Sequence, residues 1–175
     1  MTKRTKRVTE RLRAVLLRYY LGVLELFNGL QSQITVAFIA QYNTPEASKA
    51  LNYDEFVEFS RPHRYPRRWL PKQYARLQEI QPEASAETVA VYEEEARLLA
   101  QDLLWIMQTN RRLKRELKAL FQEHPDQHIF SSLPGAGDLL APSLLAKFGD
   151  DRARFPTAGS MQALAGTCPV TDQSG

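Results

Sequence analysis

Two stretches of the chain carry apolar residues at alternating spacings of three and four, the period of one face of a helix. The first runs Val8, Leu12, Val15, Leu16, Tyr19, Val23, Leu26, Leu30 and Ile34, and predicts one long amphipathic helix from about Thr5 to Ala40. The second runs Val89, Tyr92, Ala96, Leu99, Leu103, Ile106, Asn110, Leu113, Leu117 and Leu120, and keeps its register for over four heptads. That is the pattern of a coiled-coil seam over residues 89–120, with Asn110 at an a position where a buried amide fixes register. At ~1.5 Å rise per residue such a helix is on the order of 50 Å long and needs a partner. Either the N-terminal helix folds against it as an antiparallel hairpin, or a second copy of the chain does.

Shorter elements fill the rest. Thr44-Pro45-Glu46 reads as an N-cap, a proline in the first turn and an acid suited to the helix dipole. Phe56 and Phe59 predict a few further helical turns over residues 53–59, and Pro62, Pro66 and Pro71 predict a loop until Pro71 opens another short helix. Ser85 caps the long helix and His124-Pro125 ends it. Beyond it, short helices are expected over 125–132, over 139–148 with Gly149 as the stop, and over 158–165 between the cap Thr157 and Gly166. The fold expected is all-α, with long helices forming a coiled coil or helical hairpin over residues 1–124 and a small helical domain over 125–175.

Composition agrees with a folded core. The 175 residues are 43% hydrophobic and 25% charged, ordinary usage for a globular protein. The net charge of +3 is unevenly placed, because Met1 to Tyr20 holds seven Lys or Arg against the single Glu10, which leaves the remainder net acidic. One cysteine, Cys168, excludes an internal disulfide and any cysteine-based zinc cage, and fits a reducing, cytoplasmic setting. Arg18 and Glu25 interrupt the apolar stretch after the basic start, so neither a signal peptide nor a membrane span is expected. His63, His124 and His128 are too scattered for a metal site, and no Walker loop, dinucleotide fingerprint or Ser-His-Asp arrangement occurs.

Three features point toward an anionic partner. On the first helix, Arg4, Arg7, Arg11 and Arg18 fall on one stripe beside the apolar face, either a row of phosphate contacts or a solvated helix surface. Between Arg61 and Arg76 six basic residues, Arg64, Arg67, Arg68 and Lys72 among them, stand with His63 and no acid, interleaved with Tyr65, Trp69 and Tyr74. Guanidinium groups meet phosphates and rings stack on bases, so this connector is a candidate nucleic-acid contact. The alternative is that Trp69 and Tyr74 cover the core while the arginines are merely solvated. Third, Gly135 and Gly137 flank Ala136 in a tight turn whose amides, at the start of a helix, suit a phosphate.

From Leu133 to Gly175 these parts form an ordered set: Pro134-Gly135-Ala136-Gly137, Ala141, Phe148-Gly149-Asp150, Arg154-Phe155-Pro156, Ala165-Gly166 with Pro169, and Gln173-Ser174-Gly175. The set resembles the C-terminal domain of the DEDD insertion-sequence transposases of the one-ten type, relatives of the pilin-gene invertases. The upstream long helix and basic connector are similar to that family's middle segment. The resemblance implies a helix-hairpin-helix at Pro134–Gly137, a role in DNA transposition and recombination, DNA as partner, and in several members a structured guide RNA. It implies that Ser174 matches the serine that attacks a DNA phosphate. It also implies a separate ribonuclease-H-like domain whose acids bind magnesium; none is expected within these residues. The acidic domain would precede Met1 and a basic helical stretch would follow Gly175, so the chain reads as a transposase portion that binds but does not cut on its own. The rival reading is a self-associating coiled-coil module whose basic segments only confer solubility.

Overall fold

The computed structural model describes residues 3–79 and 84–167. Its helices are α1 (Lys3–Leu16), α2 (Gln33–Gln41), α3 (Pro45–Lys49), α4 (Tyr53–Ser60), α5 (Leu70–Glu79), α6 (Ala86–Glu123), α7 (Gln127–Ser131), α8 (Leu140–Phe148) and α9 (Ala158–Ala165). No strand occurs among the described residues, so the expected all-α class is borne out. The chain divides into two compact units, residues 1–111 and residues 112–175, with the division inside α6.

The single N-terminal helix expected to Ala40 is not what forms. After Leu16 the chain turns through two short 3-10 segments, Leu21–Glu25 and Gly29–Gln31, before α2 begins. The physical reason is burial on too many sides. Tyr19, Tyr20, Val23, Leu26, Phe27 and Leu30 are all buried, and one straight helix could turn only a single stripe of them inward. Positive φ at Phe27 (52°) and at Gly29 (65°) reverses the chain there instead. The helix that follows, α2, buries Ile34, Thr35, Val36, Phe38 and Ile39 and is the central strut of the first unit.

Around α2 gathers an aromatic cluster. Phe27 stacks on Phe56 at 5.7 Å, Phe38 meets Phe59 edge-on at 5.3 Å, and Tyr74 meets Tyr53 edge-on at 5.3 Å. Helix starts are fixed as the sequence suggests. Thr44 Oγ1 accepts the Ala47 N–H, and Asn52 with Glu55 forms a reciprocal capping box. A cap of this kind contributes about 1 kcal/mol.

The long helix α6 pairs in its first half with α1, and the two run antiparallel. Arg4 binds Asp102 at 2.9 Å, Arg11 binds Glu95 at 2.6 Å, and Arg18 lies over the Tyr92 ring at 5.3 Å. Rising numbers on one helix meet falling numbers on the other. Ala96, Ala100 and Leu103 are fully buried there, in one core with Leu12 and Leu16. Of the two arrangements open for the seam, this half takes the hairpin.

The second unit is built on the end of α6, with α7 packed on α8. Its core is Phe121, Ala141 and Leu145, with Phe130 and Ala136 against it. Gly149 ends α8 with φ 69°, while α9 starts on a capping box between Thr157 and Ser160 and ends at Gly166 with φ 70°. These starts and stops fall where the sequence puts them.

Candidate nucleic-acid interface

Of the four stripe arginines, Arg4 and Arg11 on α1 and Arg18 in the turn after it meet α6. Arg4 holds Asp102 and lies 5.5 Å from the Trp105 ring centroid, Arg11 places Nε and a terminal nitrogen on Glu95, and Arg18 donates to the Tyr92 hydroxyl at 3.3 Å. Arg7 is exposed, with no carboxylate partner among the described residues. Three of the four cations are thus matched to the acids and rings of the facing helix. Exposed pairs of this kind contribute about 0 to 1 kcal/mol each, so they steer the pairing more than they stabilise it. Two of the four, Arg4 and Arg11, have their charge offset by an acid of α6.

The connector is different. Arg64, Arg67, Arg68 and Lys72 are all exposed, and none has a carboxylate within ion-pair distance among the described residues. Arg61, at its start, pairs with Glu58 at 2.7 Å, and Arg76, at its end, donates to the Glu25 carbonyl at 3.3 Å. Pro66 and a 3-10 turn, Arg67–Trp69, lead directly into α5. The two rings weighed in the sequence part company here. Tyr74 is half-buried and donates its hydroxyl proton to the Leu51 carbonyl at 3.0 Å, so it belongs to the core. Trp69 is 45% exposed, with the Arg68 guanidinium 5.4 Å from its ring centroid.

Beside Trp69 the fold adds residues that the sequence did not bring to notice. Phe27 and Asn28 line the same cleft as Tyr65, Trp69, Lys72 and Arg76. Their one sequence signal is Asn28-Gly29, a turn pair inside a stretch that otherwise reads as helix.

In the second unit, Gly135 has φ 76°, a left-handed conformation that favours glycine, and open space lies around both Gly135 and Gly137. The amides of Ala136 and Gly137 donate to the carbonyls of Leu133 and Gly135 within the turn. Asp138, next along, is paired with Lys118 at 2.6 Å. His124 lies 2.9 Å from Asp150, and His63 is half-buried beside Phe59, where burial lowers its pKa. Ser174 lies outside the described residues. Among the described residues no group of three or more His, Cys, Asp or Glu is placed to hold a metal ion. No described helix is long and apolar enough to cross a membrane.

Comparison with known proteins adds what geometry cannot. Residues 127–175 match the family model described as the transposase IS116/IS110/IS902 family. Over 63 residues the chain is 43% identical to a Streptomyces coelicolor protein assigned as the mini-circle transposase for IS117, a stretch covering 36% of this chain and 15% of that one. Over 97% of its length the chain is 27% identical to the insertion element IS110 uncharacterized 43.6 kDa protein of the same organism, covering 42% of it. No solved structure matches. The chain therefore spans less than half the length of the curated relatives it matches. The ordered motifs of the last third and these relatives agree: the chain is similar to IS110-type transposases, most specifically over residues 127–175.

Proposed function

We propose that this chain acts in DNA transposition by binding nucleic acid through the connector face of its first unit, at Arg64, Arg67, Arg68 and Lys72. One observation carries the reading: these exposed cations have no acidic partner among the described residues, and Arg68 and Lys72 lie beside an exposed tryptophan, whereas Arg4 and Arg11 of α1 are paired with acids of α6. Unmatched cations in a row release counterions from a polyanion, which makes binding tight at low salt and steeply weaker as salt rises. The turn at Gly135 and Gly137, read as a helix-hairpin-helix, would add a second contact to the DNA backbone through its exposed, open surface, since its Ala136 and Gly137 amides are already bonded within the turn. Ser174 would be the nucleophile, in a whole transposase whose metal-binding acids lie elsewhere. Both DNA and a structured guide RNA present the phosphates such a face needs.

Fluorescence anisotropy of the full chain against labelled duplex DNA and a structured RNA, across a salt series, tests this. Binding at low salt is expected, with a slope of log affinity against log salt that falls by about one for each of Arg67→Ala and Arg68→Ala. No binding at low salt, or unchanged affinity in both variants, would sink the reading.

A second reading has its own observation. On the later turns of α6, Leu113 and Leu120 occupy seam positions yet are 52% and 68% exposed. Another copy of the chain covering that face would complete the seam. In that case the chain sediments as a dimer, and Leu113→Glu with Leu120→Glu returns it to a monomer while leaving α6 helical by circular dichroism; a wild-type monomer at high concentration ends this reading.

A further inference from the structure

The cleft beside Trp69 has a construction that phosphate binding alone does not require. Its floor is aromatic and fixed. Phe27 sits at φ 52°, a conformation that bulky residues rarely adopt, and three contacts hold it there. Its ring stacks on Phe56 with an interplanar angle of 9°, Tyr65 meets it edge-on at 5.0 Å, and its N–H donates to the buried Gln73 Oε1 at 2.8 Å. The rim is cationic, with Lys72 and Arg76 one helical turn apart on α5, and the Arg76 guanidinium steadied by the Glu25 carbonyl. Trp69 stands at the mouth, nearly half exposed, and Asn28 offers an amide that can donate and accept at a base edge. The cleft is open to solvent and has a volume of about 260 Å³. That is below the ~300–1,000 Å³ of sites for drug-sized ligands, and suits one planar ring with its phosphate outside.

We propose that this cleft is a binding site for a single unpaired nucleotide of the nucleic acid gripped by the connector. The base stacks on Trp69, extending the stack that Arg68 begins, and its phosphate meets Lys72 and Arg76. A base inside a duplex has both faces covered by its neighbours and cannot enter; an unpaired or extruded one can. The fixed floor means that little is ordered on binding, and stacking is indifferent to which base arrives. The inference rests on the proposed nucleic-acid reading and adds to it a preference for single strands, located at one side chain.

The experiment uses the full chain with Trp105→Phe, which leaves Trp69 as the sole remaining tryptophan of the two in the sequence. Its fluorescence is followed during titration with oligothymidylate, with oligouridylate and with a blunt DNA duplex of the same length. Single strands are expected to quench Trp69 and the duplex to leave it unchanged. Trp69→Ala in the native background should weaken single-strand affinity by roughly five- to hundred-fold, the worth of one aromatic–base stack. Duplex affinity should stay within about twofold in that variant, and Trp69→Phe should recover most of the loss. Whether the thymidylate or the uridylate strand binds more tightly tells a DNA source from an RNA one. Single-strand binding without quenching, equal quenching by the duplex, or no loss in Trp69→Ala overturns the cleft while leaving connector binding intact. No binding by any of the three overturns both.

Discussion

The two units differ in how much they bury. The first holds one continuous apolar core from Val8 to Ile106, with fully buried Tyr19, Tyr20, Phe38, Phe56 and Leu103. The second, among its described residues, has Phe121, Ala141 and Leu145 as its buried core, while Leu133, Leu139, Leu140, Met161 and Leu164 remain exposed. Yet the second unit contains the segment that matches the transposase family model, and its motifs are the ones a reader recognises. The lesson is that recognisability and burial are separate properties. Glycines, prolines and caps at set spacings are easy to see in a chain and contribute little apolar area; a core is spread over many unremarkable leucines and phenylalanines.

That contrast can be broken most decisively in the first unit. Leu103→Ala removes a fully buried side chain and is expected to cost about 2–5 kcal/mol, against about 2 kcal/mol or less for Leu145→Ala, which sits in the smaller apolar cluster. Denaturant titration of the two variants checks this. Equal losses would show that the second unit is as well packed as the first.

A backbone substitution sharpens the comparison from the other side. Gly149 combines φ 69° with ψ −177°, a region open essentially to glycine, while open space surrounds its Cα. Gly149→Ala should therefore cost about 1–3 kcal/mol through conformation alone. Hydrogen exchange should show the loss in the amides of α8 and not in those of α1 or α2. A loss spread evenly over both units would contradict their separateness.

The smallest effect expected concerns protons. Burial lowers the pKa of His63 in the folded first unit, so the unfolded chain takes up its proton first. Its contribution to stability is complete above the ordinary value of about 6.5 and is lost as pH falls toward the lowered one. Replacing His63 with Gln should flatten that part of the stability–pH curve, a small change because the imidazole is only partly buried. An unchanged curve would mean that the imidazole is as open to solvent in the fold as out of it.

Much of the local structure is legible in the residues themselves. The caps at Thr44 and Thr157, the stops at Gly149 and Gly166, and the long α6 depend on interactions within a few residues, and local chemistry suffices to place them. The candidate site was legible in part: the basic, acid-free connector stands out, and so does Trp69 within it. Phe27 and Asn28 did not, because the turn that carries them to Trp69 lies inside a stretch whose three-and-four spacing reads as uninterrupted helix. The spacing was real, but so many of its residues are buried that no single helical face could hold them all.

By itself, then, the sequence determined the all-α class, the positions of most helix ends, the resemblance of its last third to a transposase family, and which segments are rich in positive charge. Only the tertiary structure decided which charges remain available. Arg11 and Arg67 are both exposed arginines, but Glu95 lies within hydrogen-bonding reach of the first and no described carboxylate within reach of the second. Such a distinction cannot be read along the chain, because Glu95 is 84 residues away from Arg11 and is brought to it by the pairing of α1 with α6. Periodicity marks which face of a helix is apolar; what that face meets, and which charges are cancelled at its edge, depends on contacts between residues far apart in sequence.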